Sequence, residues 1–484
     1  MIESSTRPIA APTAQSRPDR RRWATLAVLC SSNFIIILDG AIVFVAIPSM
    51  ATGLNLTPTA VQWVLSSYLL SFGGLLLLGG RAADLLGRRR MFMVGTTLLA
   101  LSSLACGFAW SGEVLIAARA VQGFAAAIMT PTALSILTTT FAEGPERNRA
   151  LGFWSAAGGI GGTTGALIGG PLTDGLGWSW IFFVNVPVAL FIVALSPIVL
   201  RESYDWRRTR TFDVAGAVTS TAAMVLIVYA IVDAPQAGWT SQRTASVLGI
   251  AVALLVVFLV IERFSTAPLV PLHLFRSKAL VGGNLVMLAV GMAVHGAMGF
   301  IITQYAQIVL GYSAVQFGLM FAVMTVLSVA GSISAGARLV NRFGPRPVAV
   351  AALTLLALGC LALTQISTNG SYLQDMLLGM ALFGPGLGAG FVAGSVASLS
   401  GATNSDAGLV SGFNAAAFHI GGALGIAILA TVVATRSQGA EPLVALTEGY
   451  RSAFAVAVSF AWLGIIAALA LLRRPAQAPR LATT

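Results

Sequence analysis

Between Lys278 and Arg338 the chain runs for 59 residues without a charged side chain. Coiled as α-helix, such a run would measure roughly 90 Å, close to three times the hydrocarbon thickness of a bilayer. No water-soluble domain can hide a stretch of this kind. It must cross a membrane and turn back, and Gln304, Gln307 and the Gly311-Tyr312-Ser313 turn provide the break. The rest of the chain follows suit: 57% of its 484 residues are hydrophobic and 9% are charged, where a soluble domain carries about 25% charge. Disorder is excluded by the same hydrophobicity. A disulfide scaffold is excluded because Cys30, Cys106 and Cys360 are too few and all lie in apolar runs, where they read as small buried hydrophobes.

Fourteen stretches are long enough to span, at about 24–47, 60–80, 91–111, 114–137, 150–172, 180–200, 214–232, 244–261, 279–303, 314–336, 348–366, 374–398, 407–434 and 452–472. The charges punctuate them. An even number of spans puts both termini on one side, and the loops of that side hold 24 of the 28 basic residues. The opposite side holds Arg243, Arg436 and Arg451, and Arg119 lies within a span. Basic loops remain in the cytoplasm, so both termini are expected there, in a multi-pass protein of the cytoplasmic membrane. This placement also accounts for the net charge of +11 without nucleic acid as a partner.

An internal echo divides the chain. Gly80-Arg81-Ala82-Ala83-Asp84-Leu85-Leu86-Gly87-Arg88-Arg89-Arg90 follows the second span, and Asn341-Arg342-Phe343-Gly344-Pro345-Arg346 follows the tenth. Repeated halves are a mark of secondary transporters. The expected organisation is a disordered tail (1–22), a six-helix bundle (23–200), two inserted helices with their loops (201–278), a second six-helix bundle (279–472) and a short tail (473–484).

Few side chains can do chemistry in this setting. Asp39 is the one carboxylate deep in a span, and an acid there costs about 2.5–3.5 kcal/mol even on insertion scales. Arg119 is the one deep base. Asp39 sits ~10 Å from the outer end of the first span and Arg119 ~9 Å from the same face in the fourth. Matching depth predicts a pair, either a static ion pair between helices or a protonation switch. Gly80, Asp84, Gly87 and Arg88 define the second loop, where Gly87 permits a tight turn and Asp84, following a helix end, can bond an opposing helix terminus or Arg. In the fifth span Gly161, Gly165 and Gly169, with Gly170, form a smooth stripe for packing or for sliding between the halves. Asn33, Gln62, Tyr68, Gln122, His295, Asn414 and His419 are candidates to line a cavity. The two histidines read as hydrogen-bonded structural groups or as a proton relay. The three histidines of the chain are expected to lie far apart, so no metal site is expected, and no phosphate-binding loop or other cofactor motif appears.

These residues resemble the major facilitator superfamily, in its fourteen-helix drug:proton antiporter branch, over residues 23–472. Leu38 to Pro48 looks like the first-helix motif of that branch, and Gly80 to Arg90 like the superfamily's second-loop motif. Arg119-Ala120-Val121-Gln122-Gly123 is similar to the helix-four motif that the family ties to proton coupling. Trp178 to Pro187 and Gly421-Gly422-Ala423-Leu424-Gly425 also fit. Three positions depart from the pattern: Asp84 is followed by Leu85, the Gly-Pro of helix five is replaced by Gly165-Ala166, and His419 stands where relatives carry Gln or Arg. The resemblance implies an all-α polytopic fold of two six-helix bundles plus two inserted helices, a monomer without cofactor, and proton-driven export of lipophilic compounds; the single deep acid, with no Asp or Glu in span ten, limits these to neutral or monocationic ones. A nutrient permease on the same fold needs more polar groups in the first-half spans. A membrane transferase needs clustered carboxylates, which are lacking.

Overall fold

The computed structural model describes residues 20–141, 144–203, 213–265, 268, 272–400, 407–437 and 441–472. The expected tails at 1–19 and 473–484 lie outside the described residues. Arg20, Arg21 and Arg22, expected in the N-terminal tail, instead form the first turn of a helix, with the Arg21 Nε donating to the Val199 carbonyl at 3.1 Å.

Among the described residues there are long helices and no strands. They are α1 (Arg20–Gly53), α2 (Pro58–Leu86), α3 (Arg88–Gly107), α4 (Gly112–Thr140), α5 (Pro145–Leu176), α6 (Trp180–Val199) and α7 (Val214–Ala237). They continue with α8 (Gln242–Phe264), α9 (Lys278–Val309), α10 (Ala314–Ser334, extending to Phe343), α11 (Pro345–Leu363), α12 (Tyr372–Leu399), α13 (Ala407–Arg436) and α14 (Pro442–Leu471). Thirteen of these are long and apolar enough to cross a membrane. The fourteenth, α5, has ample length at 32 residues, but its glycines dilute its hydropathy.

Helix starts follow local chemistry. Thr57 caps α2 with Pro58 at its first position, Ser111 caps α4, and Ser313 with Gln316 forms a reciprocal capping box at α10. The two echoed turns also match. Gly87 (φ +105°) separates α2 from α3 and Gly344 (φ +81°) separates α10 from α11, and both angles suit glycine alone.

The packing repeats as the sequence does. In the first part α1 lies on α5, α2 and α3 on α4, and α3 on α6. In the second, α9 lies on α13, α10 and α11 on α12, and α11 on α14. Two seams join the sets, α2 against α13 and α5 against α10. Helix α7 sits over the first seam, where the Thr431 hydroxyl donates to the Ile231 carbonyl at 3.0 Å. Helix α8 has α7 as its main partner and its central stretch is only 11% buried, so its remaining faces are left for lipid.

The glycines of α5 divide between two partners. Gly161, Gly165 and Gly169 face α1, where an added Cβ would stand 2.4 Å from the Phe34 carbonyl, 2.9 Å from that of Leu38 and 3.0 Å from Ile42. The stripe therefore packs within the first helix set, against α1. Gly170 alone of the four faces the second set, with its Cβ position 2.4 Å from the Val315 Cα. Gly318 answers it from α10, 2.2 Å from the Ala166 carbonyl. Gly318→Val is expected to cost about 1–3 kcal/mol through overpacking, seen as a lower thermal midpoint of the purified protein. Gly175→Ala is the control, because nothing lies within 4 Å of its added Cβ.

Candidate functional site

Helices α2 and α4 meet backbone to backbone. A Cβ on Gly123 would lie 2.3 Å from the Tyr68 carbonyl, and one on Gly79 would lie 2.3 Å from that of Ala127. This approach carries Arg119, one turn before Gly123, against α2. Its Nε donates to the Val64 carbonyl at 3.3 Å, and the guanidinium carbon lies 4.1 Å from the centre of the Tyr68 ring.

Asp39 comes from the middle of α1 and is fully buried; Arg119 is 1% exposed. Arg119 Nη1 meets Asp39 Oδ2 at 2.9 Å, so the depth-matched pair is formed. The other carboxylate oxygen accepts from Gln122 Nε2 at 2.8 Å and from Asn185 Nδ2 at 2.6 Å. Gln122 is thus a member of the ion network and not of a cavity wall. Its Oε1 also accepts from Arg119 Nη1 at 2.6 Å, and its Nε2 donates to Ser103 Oγ at 2.8 Å. Four helices besides α1 converge here: α2 through Tyr68, α3 through Ser103, α4 through Arg119 and Gln122, and α6 through Asn185.

Two further features of the site bear on its chemistry. Arg119 has acceptors in Gln122 and Val64 and the Tyr68 ring face in reserve, so the guanidinium keeps partners when Asp39 is neutral. And Asn185 Oδ1 is buried without a hydrogen-bond partner. A carboxylate can only accept, whereas a carboxylic acid donates. Rotation of the Asn185 amide would bring that orphaned oxygen to a protonated Asp39.

Sequence reasoning placed Asp39 and Arg119 together but passed over Asn185 and Ser103. The signal was available, since Asn185 is a polar residue five positions into α6 at the depth shared by Asp39 and Arg119.

The second loop is tied down locally. Asp84 lies within the last turn of α2 and not beyond the helix end, and it pairs with Arg88 Nη2 at 3.1 Å across the Gly87 turn. Gly80 lies inside α2 against Pro131. The backbone N–H groups of Arg88 and Arg89 donate to the Ser203 carbonyl and to Glu202 Oε1, at 3.1 and 3.0 Å. Glu202, which the loop motif does not include, anchors the loop beyond α6.

The cavity candidates separate. Asn33 Nδ2 donates to the Trp154 carbonyl at 2.9 Å, holding α1 to α5. Asn414 bridges Ser395 and Ser398 at 3.0 and 2.9 Å, tying α13 to α12. Gln62 is buried with its Oε1 unpartnered. Tyr68 belongs to the Arg119 site. His295 and His419 were expected to be far apart; in the fold their ring centres are 6.2 Å apart, because α9 packs on α13. The His419 ring stacks on Phe72 of α2 at 4.0 Å. No group of three or more metal-ligating side chains occurs among the described residues.

A bundle of membrane-spanning helices with repeated packing and a charge network buried in its first half defines a transporter and not an enzyme. The chain belongs to the Major Facilitator Superfamily, whose family model matches residues 29–426 and 285–484. It is 35% identical over 465 residues to a puromycin resistance protein of Streptomyces alboniger, covering 94% of this chain and 91% of that one. To a cephamycin export protein of Amycolatopsis lactamdurans it is 35% identical over 450 residues, covering 92% and 91% of the two chains. Among solved structures, a bacterial homologue of the human lysosomal transporter Spinster superposes with a TM-score of 0.67 at 17% identity, covering 96% of this chain and all of that one. That likeness concerns the fold alone.

Proposed function

We propose that the protein is a proton-coupled exporter of lipophilic, neutral or singly charged small molecules across the cytoplasmic membrane, with both termini in the cytoplasm. Asp39 carries this reading: a fully buried acid whose surroundings hold donors for its charged form and an idle acceptor for its neutral form. Loading a proton cancels one charge of the Asp39–Arg119 pair and frees the guanidinium to lean on Gln122, Val64 and Tyr68. That change is local, and it sits where α1, α2, α3, α4 and α6 meet. The direction of transport is supported by relatives that confer resistance to puromycin and export cephamycin. The orientation is supported by the arginines gathered on one side.

Growth of a sensitised host on a panel of toxic compounds, with and without the protein, identifies the exported compounds. Everted vesicles then test the drive: efflux should require an imposed pH gradient and cease with a protonophore. Substrate charge offers a sharper test. Both oxygens of the deep acid are already engaged by three donors, and an uncompensated charge in a low-dielectric interior costs several kcal/mol. Bis-quaternary compounds should therefore leave about ten-fold more slowly, or slower still, than mono-quaternary ones of equal lipophilicity. Equal efflux of the two would contradict the one-acid argument.

A further inference from the structure

Midway along the bundle, aromatic rings from four helices and two imidazoles gather where α2 meets α13. The face of His419 lies against Phe72 at 4.0 Å with 25° between the planes. Phe418 stands edge-on to both histidines, at 5.4 Å from His419 and 5.0 Å from His295. Phe44 of α1 and Phe391 of α12 close the cluster beside His295 and Phe418. Glycines clear the space for it. A Cβ on Gly422 would stand 2.7 Å from His295 Nδ1, and one on Gly73 would stand 3.1 Å from the Ala416 carbonyl and 3.2 Å from the His419 Cβ. Helix α9 is π-helical over Met292–Ile301, the stretch that presents His295, and π-helical turns inside α-helices are frequent at functional sites.

The two imidazoles are not equivalent. His295 Nδ1 lies 3.1 Å from the Gly291 carbonyl one turn back. His419 Nδ1 is enclosed and has no partner. A buried polar nitrogen left unpaired is unfavourable, so a ligand that supplies a partner gains what the empty site lacks. The cluster contains no carboxylate, and the deep acid Asp39 has its oxygens occupied by Arg119, Gln122 and Asn185. The ring faces of Phe72 and His419 are turned on each other and do not wrap a cation-sized cage, which is the arrangement a quaternary ammonium requires.

We propose that the Phe72–His419 stack marks a binding site for neutral, planar aromatic compounds that carry one hydrogen-bonding group: the ligand plane lies on the Phe72 face beside the imidazole and coplanar with it, and its polar group meets His419 Nδ1 edge-on. The inference rests on the reading of the protein as an exporter of lipophilic molecules, and at this one site selects those that are flat, aromatic and uncharged. His419 supplies selectivity through one hydrogen bond, and Phe72 supplies the face.

Binding to the purified full-length chain in nanodiscs tests this without any proton gradient, using fluorescence polarisation with empty nanodiscs subtracted. The probes share a three-ring plane: acridone (neutral, polar), anthracene (neutral, apolar) and 10-methylacridinium (cationic). Wild-type protein should prefer acridone to anthracene by about five- to ten-fold, the worth of one hydrogen bond. His419→Phe should retain anthracene and lose that preference, and Phe72→Leu should weaken both. The cation should bind at least about ten-fold more weakly than acridone. A failure of acridone to bind, a preference that survives His419→Phe, or a cation that binds as well as acridone would each overturn the site. Proton-driven efflux of the compounds found in the growth panel, measured on the same variants, separates that failure from a failure of the exporter reading.

Discussion

Asp39→Asn is expected to leave a folded, membrane-inserted protein whose uphill efflux falls to the level of vesicles without it. The substitution is nearly isosteric, so the contacts to Gln122 and Asn185 change little in geometry. What disappears is the group that can gain and lose a proton. Breaking a buried ion pair from one side costs about 3–5 kcal/mol. Here the loss should fall near the lower end, because the guanidinium keeps Gln122 Oε1 at 2.6 Å and the Val64 carbonyl at 3.3 Å. Stability and transport can therefore be separated. Adding Arg119→Gln to Asp39→Asn removes the unpaired charge, and the thermal midpoint should recover while uphill efflux stays absent. Recovery of both would mean that the pair serves only to hold helices together.

Arg119→Ala should be more damaging to the fold. It strands a carboxylate with two amide donors and no counter-charge, an imbalance of about 3–5 kcal/mol. It also removes the side chain that covers the Tyr68 ring. Uphill efflux should be lost along with several degrees of thermal midpoint. Arg119→Lys keeps the charge but cannot offer the planar fork that reaches Asp39, Gln122 and Val64 together. Partial efflux is the expected outcome, with initial rates between those of wild type and Arg119→Ala. Normal transport by Arg119→Ala would remove the pair from the mechanism.

The pairing of Asp39 with Arg119 could be read from the sequence because charge in a membrane span is rare and depth can be counted at 1.5 Å per residue. Neutral polar residues give no such alarm. Asn185 and Ser103 sit in uncharged spans, and only the position of Asp39 shows that their depth matters. The glycine stripe of α5 was legible as a smooth surface, but a repeat of four within one helix does not say which neighbour it meets. Three of its glycines meet α1 and Gly170 meets α10. Long-range encounters were hidden for the same reason. His295 and His419 are 124 positions apart and on different helices, and nothing in either span announces that α9 and α13 pack together with a π-helical stretch between Met292 and Ile301. Asp84 lies inside the helix because α2 runs on to Leu86, six residues farther than the apolar pattern implies.

The proposed mechanism ties proton movement to export through Asp39. Its most direct test is a proton-flux measurement in proteoliposomes that hold a trapped pH dye. The compound against which expression protects most strongly is added to one side. Wild-type protein should move protons in response, and Asp39→Asn should move none while still binding the compound. A proton flux of wild-type size in Asp39→Asn would contradict the account.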